Sequence, residues 1–498
     1  KDLTPINQEI IKCGGLFQYN LNRINNNIKL PNIETKQRAM TLVEKIIAKK
    51  AKNISTSSQF NSVKPNDTVI CDVDVRFTHD YVTAMLGNLF YSNFGKDTLV
   101  KDAKSIFAFR DHLTFANDVL AKSKKELIPL AENLATKQRE FASAQGIKLY
   151  DEVKTGGSQA ICHNAIIEDI GIPEDIIIGT DSHTCTAGAL GIFAFGVGST
   201  DMSNSFLTKD TFICVPTSVK VELTEELQSG VSAKDLVLHI MKDSYFQSDD
   251  IIGKVIEYTG DGVKSLSIDE RATLTNMAVE MGAMTAIVEV DEVTVNYLKQ
   301  HRDTDTPKTE LLRSDTDAVY SYSTSINLSE VPPMIALPGD PKNTISFDEF
   351  FKEDNKIKID IAYGGSCTGG KASDMDMYAK VVKFCLDNDL KIDSNVSCYI
   401  QFGSQHVKQY AQKKNYISMF EEFGIELIPP SCGACINAGP GVSHDKSQVT
   451  ISAINRNFPG RSGPGEMYLS SPYSVISSAV LGHVSSFNFL KNSISEEH

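Results

Sequence analysis

The sequence predicts an α/β protein in which helices cover both faces of mostly parallel sheets, a three-layer α/β/α arrangement. Short apolar runs, such as Asp175–Gly179 and Lys356–Tyr363, are rich in β-branched residues and are followed by loops that contain glycine. Helix-like stretches accompany them at Asp118–Ala142 and Ala372–Asn388. The alternation of strand, glycine loop and helix is typical of parallel strands joined by helical crossovers.

The length suggests several such units. A chain of 498 residues corresponds to about three domains. The proline-rich, polar segment Thr304–Ile345 predicts a connection between domains, and a second break is predicted near Ser218–Ser232. We therefore predict an N-terminal extension over 1–39, a first domain over 40–220, a second domain with its linker over 221–340, and a third domain over 341–498.

The elements before the first apolar strand can be predicted in order. Asn20–Asn27 is polar and rich in asparagine, which indicates a loop. Residues 63–75 (VKPNDTVICDVDV) predict a turn followed by a strand. Between them, an amphipathic helix is predicted from five apolar residues at helical spacing: Met40, Leu42, Val43, Ile46 and Ile47.

Composition disfavours several classes of protein. The 49 basic and 63 acidic residues give a net charge of -14, which disfavours sequence-independent binding of nucleic acid. With 41% hydrophobic and 22% charged residues, the chain resembles a globular protein rather than a disordered one. The apolar stretch Ala187–Gly198 is shorter than the roughly 20 residues that a membrane span needs, and the first residues resemble no secretory signal. We predict neither a nucleic-acid partner nor a membrane partner.

Ten cysteines are too few for a disulfide scaffold in a chain of this length. They favour a reducing compartment, and we predict a cytoplasmic protein or one that reaches an organelle after losing a targeting segment. Most of the thiols are expected to be small buried hydrophobic groups. These are Cys13, Cys71, Cys162, Cys185, Cys214, Cys385 and Cys398.

Two loops of small residues carry the other three cysteines. Cys367 lies in GGSCTGG, directly after a predicted strand, and Cys432 and Cys435 lie in PPSCGAC. Glycine allows the backbone to approach a bulky ligand and to direct N–H groups at it. Three thiolates suit an iron–sulfur cluster with one iron open to act as a Lewis acid. A structural zinc site completed by one histidine, or three inert thiols, are the alternative interpretations.

Histidines and arginines add candidate functional groups. A carboxylate can fix the tautomer of a neighbouring histidine and raise its basicity, as in Asp111–His112 and Asp181–Ser182–His183, although such pairs are often structural. The pairs His79–Asp80 and Cys162–His163 also lie at loop-like positions. Arg456 and Arg461 flank a turn that could direct both guanidinium groups at one anion, the alternative being two solvated surface arginines.

Several separated motifs together resemble the aconitase superfamily. The segment GTDSHT at Gly179, which continues to Asp201, resembles its signature, and GGSCTGG, CGAC and NRNFPGRSGPGEMYLSSP resemble its cluster loops and its arginine loop. MTLVEKIIA at Met40, FASAQGIKLYD at Phe141 and SDTDAVY at Ser314 are most similar to the branch of 3-isopropylmalate dehydratase large subunits and homoaconitases. The resemblance spans about residues 40 to 485.

This resemblance implies which residues form the site. The ligands of a [4Fe-4S] cluster would be Cys367, Cys432 and Cys435. Catalytic roles would fall to Asp111, His112, His163, Asp181, His183 and Glu257. Substrate binding would fall to Ser182, Asn455, Arg456 and Arg461.

The implied activity is that of a hydro-lyase that removes and re-adds water on a hydroxy di- or tricarboxylate. We expect the isomerisation of 2-isopropylmalate to 3-isopropylmalate, a step of leucine biosynthesis. The alternatives are a homoaconitase, an aconitase, another alkylmalate or methylcitrate-type dehydratase, and a non-catalytic zinc- or RNA-binding relative. The residues agree with dehydration, because an aci-carboxylate needs cations and a metal, and a leaving hydroxide needs a proton donor.

Departures from the superfamily pattern bear on the substrate. Gly369 and Gly370 stand where asparagine usually follows Cys-Thr, and Asn164 replaces a glutamine. The segment that begins at His79 lacks the usual threonine at Val82. Full-length aconitases also carry a swivelling fourth domain with the serine base and a further arginine. The resemblance implies that this swivel domain is absent from the chain and is supplied by a separate small subunit.

Overall fold

A computed structural model of the protein describes residues 4–54, 62–115, 125–302, 311–352 and 356–495. Within these ranges, the strands form three sheets that are entirely or mostly parallel, together with one antiparallel pair. The predicted α/β class with mostly parallel sheets is therefore confirmed. The domain boundaries remain predictions.

The first large sheet has five parallel strands in the spatial order β4-β3-β2-β5-β6. The strands of this part of the chain are β1 (Thr68–Asp72), β2 (Val75–His79), β3 (Ile106–Phe109), β4 (Lys148–Tyr150), β5 (Ile176–Gly179), β6 (Phe193–Gly196) and β7 (Asp210–Cys214), with β1 and β7 forming the antiparallel pair. Its helices are α1 (Pro5–Lys12), α2 (Leu16–Ile24), α3 (Leu42–Lys50), α4 (Asp80–Phe94), α5 (Ile128–Gln145), α6 (Cys162–Ala165) and α7 (Ser199–Thr208).

Both faces of this sheet are buried. Ile176 and Ile178 of β5 belong to a hydrophobic cluster that contains Ile46 of α3, whereas Ile177 belongs to a different cluster that contains Ile166. Successive side chains of a strand point to opposite faces, so apolar groups cover the sheet on both sides. This burial on both sides explains why the three isoleucines of DIIIG are consecutive rather than alternating with polar residues.

The second sheet has four parallel strands in the order β10-β9-β8-β11. Its strands are β8 (Ser218–Thr224), β9 (Val255–Thr259), β10 (Thr285–Val288) and β11 (Tyr322–Asn327). The helices of this region are α8 (Ala233–Ile240), α9 (Ser244–Gln247), α10 (Ile268–Asn276) and α11 (Glu292–His301).

The third sheet has seven strands in the order β13-β12-β18-β17-β14-β15-β16, and only the pairings of β12 are antiparallel. Its strands are β12 (Met334–Ala336), β13 (Thr344–Ser346), β14 (Ile361–Gly364), β15 (Ser397–Gln401), β16 (Glu426–Ile428), β17 (Val449–Ser452) and β18 (Glu466–Ser470). Its helices are α12 (Phe347–Phe351), α13 (Ser366–Gly369), α14 (Ala372–Asp387), α15 (Gln405–Lys413), α16 (Tyr416–Phe423), α17 (Pro472–Leu481) and α18 (Phe487–Ser495).

The second and third sheets share a hydrophobic core. Ile256 of β9 belongs to the same cluster as Ile361 and Tyr363 of β14, whereas Ala362 faces the other side of the third sheet. Among the described helices, none has the length and apolar character needed to cross a bilayer.

Most predicted elements are present, with local corrections. The predicted loop Asn20–Asn27 is wrong over its first half, because α2 continues to Ile24. Polar side chains of this helix have partners elsewhere in the domain: Asn20 Nδ2 donates to Asn204 Oδ1 at 2.8 Å, and Arg23 forms an ion pair with Asp210. Residues 63–75 contain β1 and the first residue of β2. Of the predicted helix Asp118–Ala142, residues 118–124 lie outside the described residues, and the remainder forms a 3-10 turn and α5.

Candidate active site

The predicted histidines and aspartates converge at one edge of the first sheet. Asp111 and His112 follow β3, and Asp181 follows β5, so both segments leave the carboxyl ends of strands that flank β2. The carboxyl ends of parallel strands meet at the same edge, where ligands bind in α/β proteins. His163 comes from α6 and His183 from the 3-10 helix Ser182–Leu190.

Asp181 is the centre of this group. One carboxylate oxygen, Oδ1, lies 3.1 Å from His163 Nε2 and 3.4 Å from His183 Nδ1, and Oδ2 lies 3.5 Å from His112 Nε2. Burial on its own would raise the pKa of Asp181, but the three imidazoles lower it well below its usual range. Asp181 is therefore a fixed negative charge that orients three rings.

His112 connects this group to the cysteine loops. Its Nδ1 lies 2.8 Å from Asp111 Oδ1, while the Asp111 carbonyl accepts a hydrogen bond of 2.7 Å from the Cys432 amide. Burial would lower the pKa of His112, but Cys432 and the Asp111 and Asp181 carboxylates raise it well above its usual range. The two carboxylates therefore favour the protonated imidazole, which has a ring nitrogen within 4.8 Å of the Cys432 sulfur.

Two of the three predicted cysteines, Cys367 and Cys435, lie among amide and guanidinium groups. Cys367 lies in α13, directly after β14, and receives a hydrogen bond of 3.3 Å from Asn276 Nδ2. Asn455 lies between two of the sulfurs, with Nδ2 3.7 Å from Cys367 Sγ and Oδ1 3.4 Å from Cys435 Sγ. Arg461 Nη2 donates to Cys435 Sγ at 3.4 Å.

This donor set fits a sulfur-ligated metal group. All ten cysteines of the chain are free thiols, and burial raises the pKa of Cys367 and Cys432, so that bound metal would have to displace their protons. The N–H groups of Asn276, Asn455 and Arg461 can donate to anionic sulfur, which is how proteins stabilise such clusters. The residues therefore fit an iron–sulfur cluster.

The predicted substrate-binding residues form the other wall of the site. Arg456 Nη2 donates to Ser182 Oγ at 3.1 Å, and its Nε lies 2.7 Å from a carboxylate oxygen of Glu280. His183 Nε2 lies 2.8 Å from the same carboxylate oxygen. Arg456, Arg461 and Glu280 line one cavity of about 420 Å³. Two guanidinium groups facing one cavity suit a carboxylate ligand.

Comparison with known proteins agrees with this geometry. The model of the aconitase family (aconitate hydratase) matches residues 44–482. The chain belongs to the aconitase family. An iron–sulfur cluster is the cofactor that membership of the family implies, in agreement with the cysteines of the site.

Relatives within the aconitase family match nearly the whole chain. The 3-isopropylmalate dehydratase large subunit of Caldicellulosiruptor bescii is 36% identical over 451 residues, which cover 90% of this chain and 96% of that protein. The large subunit 1 of Pyrococcus furiosus is 35% identical, over 90% of this chain and 98% of that protein. Among solved structures, aconitase X of Thermococcus kodakaraensis aligns with 99% of both chains at a TM-score of 0.47 and 11% identity.

Glu257 is the one predicted site residue that the structure does not bring to this aconitase-family site. Its carboxylate accepts hydrogen bonds from Ser218 Oγ at 2.9 Å, Ser314 Oγ at 2.7 Å and Tyr320 OH at 3.0 Å. These partners lie in the second sheet and in the segment before β11. The carboxylate that contacts His183 and Arg456 is that of Glu280 instead.

Asn276 and Glu280 are candidate residues that the sequence analysis missed. They lie four residues apart, where α10 ends and the 3-10 helix Met277–Met281 begins. Both border the apolar run Met277–Val279 and are buried, and polar side chains beside such a run are a signal that could have singled them out. His79 was named only as a pair with Asp80, but its ring stacks on that of His112 with centroids 4.0 Å apart.

The two glycines that depart from the aconitase-family pattern are required by close packing. A Cβ atom at Gly369 would lie 2.8 Å from Ala453 Cβ and 3.1 Å from the Tyr378 hydroxyl. At Gly370 it would lie 2.5 Å from the Ser366 carbonyl oxygen and 2.8 Å from that of Gln401. Tyr378 OH also donates to the Gly369 carbonyl at 2.9 Å. Neighbouring atoms therefore fill the space that an asparagine side chain would need.

We expect Gly370→Ala to lower the free energy of unfolding by about 2–3 kcal/mol, because the added methyl group meets backbone atoms that cannot move aside. Chemical denaturation measures this loss. Gly198→Ala is the matched control, since a Cβ there meets only Asp201 Oδ2 at 3.7 Å and the backbone φ is -72°. Equal effects of the two substitutions would contradict the packing argument.

Proposed function

We propose that the chain is the large subunit of a [4Fe-4S] hydro-lyase that converts 2-isopropylmalate to 3-isopropylmalate by dehydration and rehydration. The observation that carries this proposal is a set of contacts that joins the cysteine loops to the histidine–carboxylate network: Asn455 and Arg461 contact Cys435, and Arg456 contacts Ser182 and Glu280. The relatives named 3-isopropylmalate dehydratase large subunit support this substrate and a small-subunit partner. The cytoplasm is the compartment that we propose.

Each residue has a definable part in this reaction. Cys367, Cys432 and Cys435 would hold the cluster, which when bound supplies a Lewis acid for the substrate hydroxyl and carboxylate. His112 holds a proton next to Cys432, where a leaving hydroxide would take it up. Arg456 and Arg461 would bind a second carboxylate of the substrate.

The carboxylates of the site orient these groups. Asp181 fixes three imidazoles, and Glu280 holds His183 and Arg456 in one geometry. The cationic groups that these carboxylates hold in place can stabilise the negative charge of the developing aci-carboxylate without reorganisation during the reaction. The base that removes the substrate proton would come from the small subunit, as the superfamily resemblance implies.

Anaerobic assays with a small subunit test the proposal. We would co-produce the chain with a small subunit of a related dehydratase, load the cluster, and assay 2-isopropylmalate, homocitrate and citrate. Turnover of 2-isopropylmalate in preference to the other two acids is the expected result. Preference for homocitrate or citrate would reassign the substrate, and no turnover of any acid by the loaded complex would remove the hydro-lyase assignment.

We expect Arg456→Lys to raise KM about 10- to 100-fold, because one ammonium group cannot hold Glu280 and also bind a carboxylate through two parallel hydrogen bonds. Steady-state kinetics of the loaded complex measures this. Arg139→Lys is the control, since Arg139 pairs with Asp151 at an exposed position. An unchanged KM in Arg456→Lys would refute the substrate-binding role.

A further inference from the structure

Two buried lysines lie next to the loops of the candidate site, and the proposed chemistry uses neither. Lys234, in the first turn of α8, is 2% exposed, and Lys371, directly before α14, is 3% exposed. Removing an ammonium group from water is costly unless carbonyl groups or anions compensate for the lost hydration. The partners of these two lysines therefore indicate why they are buried here.

Lys234 connects two segments that carry site residues. Its Nζ donates to the Ile454 carbonyl at 2.6 Å and lies 3.2 Å from Met277 Sδ. Ile454 directly precedes Asn455 and Arg456 in the chain, and Met277 directly follows Asn276. This hydrogen bond thus fixes the backbone from which the asparagine and arginine side chains extend.

The helix that carries Lys234 is itself anchored. Ser232 and Asp235 form a capping box at the start of α8, and Asp235 Oδ1 accepts a hydrogen bond of 2.9 Å from the Met334 amide of β12. Lys234 therefore extends from a helix that is hydrogen-bonded to the third sheet. Because the helix is anchored, the position of the Lys234 donor determines where the Ile454 carbonyl lies.

Lys371 makes the corresponding contact on the cysteine loop. Its Nζ donates to the Thr368 carbonyl and lies 2.8 Å from Asp374 Oδ2. Thr368 directly follows Cys367. The two lysines thus hold the backbone at two different segments of the same site. The effects of substituting one lysine can therefore be compared with the effects of substituting the other.

We propose that Lys234 is a positioning residue that holds Asn455 and Arg456 in place for substrate binding, and that Lys371 holds the Cys367 loop in place for the cluster. The inference rests on the proposed function for its kinetic readout. Arg456 must contact Glu280 and Ser182 at the same time, and Asn455 must lie between Cys367 and Cys435. Both requirements depend on the course of the backbone at Ile454.

Substitution by methionine, which keeps the length of the side chain but removes the donor, tests both assignments. In Lys234→Met we expect KM to rise about tenfold with kcat within about threefold, as for a lost hydrogen bond to a charged group. In the loaded full chain, amide hydrogen exchange should accelerate in 454–458 and stay unchanged in 366–370. Lys371→Met should show the reverse exchange pattern, with faster release of iron to a chelator and an unchanged KM of the loaded enzyme.

Lys242→Met is the control, because Lys242 lies two residues after the end of α8 and pairs with Glu349 at an exposed position. A merely structural role for Lys234 would accelerate exchange throughout the chain and leave KM unchanged, and that result would overturn the proposal. If Lys234→Met does not fold, Lys234→Gln replaces it. The glutamine side chain is too short for its amide to reach the Ile454 carbonyl, so the expected results are the same. Inactivity of the wild-type complex on every acid would remove the proposed function alone, since the exchange pattern would still test the positioning role.

Discussion

Cys435→Ser should abolish hydro-lyase activity while the polypeptide stays folded. Cys435 is buried, and its sulfur lies within 3.4 Å of both Asn455 Oδ1 and Arg461 Nη2. A serine oxygen is a shorter and harder ligand than a thiolate and does not replace it at a cluster. Loss of groups that merely orient a metal ligand costs about 10- to 100-fold, so loss of the ligand itself should exceed 100-fold.

The measurement combines anaerobic activity with iron and acid-labile sulfide analysis and circular dichroism. We expect the variant to lose iron and sulfide together with activity, and to keep the dichroism spectrum of the wild-type protein. Global unfolding of the variant would instead favour a structural metal. Wild-type protein that remains free of iron and sulfide after anaerobic reconstitution would contradict the cluster itself.

Cys385→Ser is the matched control for this experiment. Cys385 is fully buried in α14 and belongs to the hydrophobic cluster of the third sheet. A buried hydroxyl without a partner should lower the free energy of unfolding by about 1–3 kcal/mol and leave the cluster content unchanged. The two variants thus separate loss of a ligand from loss of core packing.

The sequence allowed the parallel strands and most of the site to be predicted, because both depend on short local patterns. DIIIG places β5, and the residues that follow it, Asp181 and His183, necessarily lie at the carboxyl edge of the first sheet. The cysteines were recognisable because glycine and small residues surround them. These features require no knowledge of how distant segments pack.

The placement of Glu257 away from the other candidate residues and the omission of Glu280 have a common physical cause. Glu257 lies within β9, where a side chain points to one face or the other, and the face that it occupies leads to Ser218 and Ser314. Glu280 lies in the 3-10 helix that follows α10 after Asn276, and from there it contacts His183. Neither the orientation of the strand residue nor this change of helix type can be derived from local periodicity.

The substitution with the next largest expected effect is Glu280→Gln, for which we expect kcat/KM to fall about 100-fold or more. Burial on its own would raise the pKa of Glu280, but His183 and Arg456 lower it, so the carboxylate is charged. It receives charge-assisted hydrogen bonds from both groups, at 2.8 and 2.7 Å. One such bond contributes about 1.5–3 kcal/mol, and glutamine keeps the shape of the side chain but not its charge.

Glu257→Gln is the matched control, because Glu257 is also buried but, among the described residues, accepts hydrogen bonds from a backbone amide and from the hydroxyl groups of Ser218, Ser314 and Tyr320. Hydroxyl groups can rotate to accept from an amide, so kcat/KM should stay within about threefold of the wild-type value. Steady-state kinetics on the loaded complex, with iron content measured for each variant, decides between the two carboxylates. A large loss in Glu257→Gln with little change in Glu280→Gln would restore the assignment made from the sequence and remove Glu280 from the site.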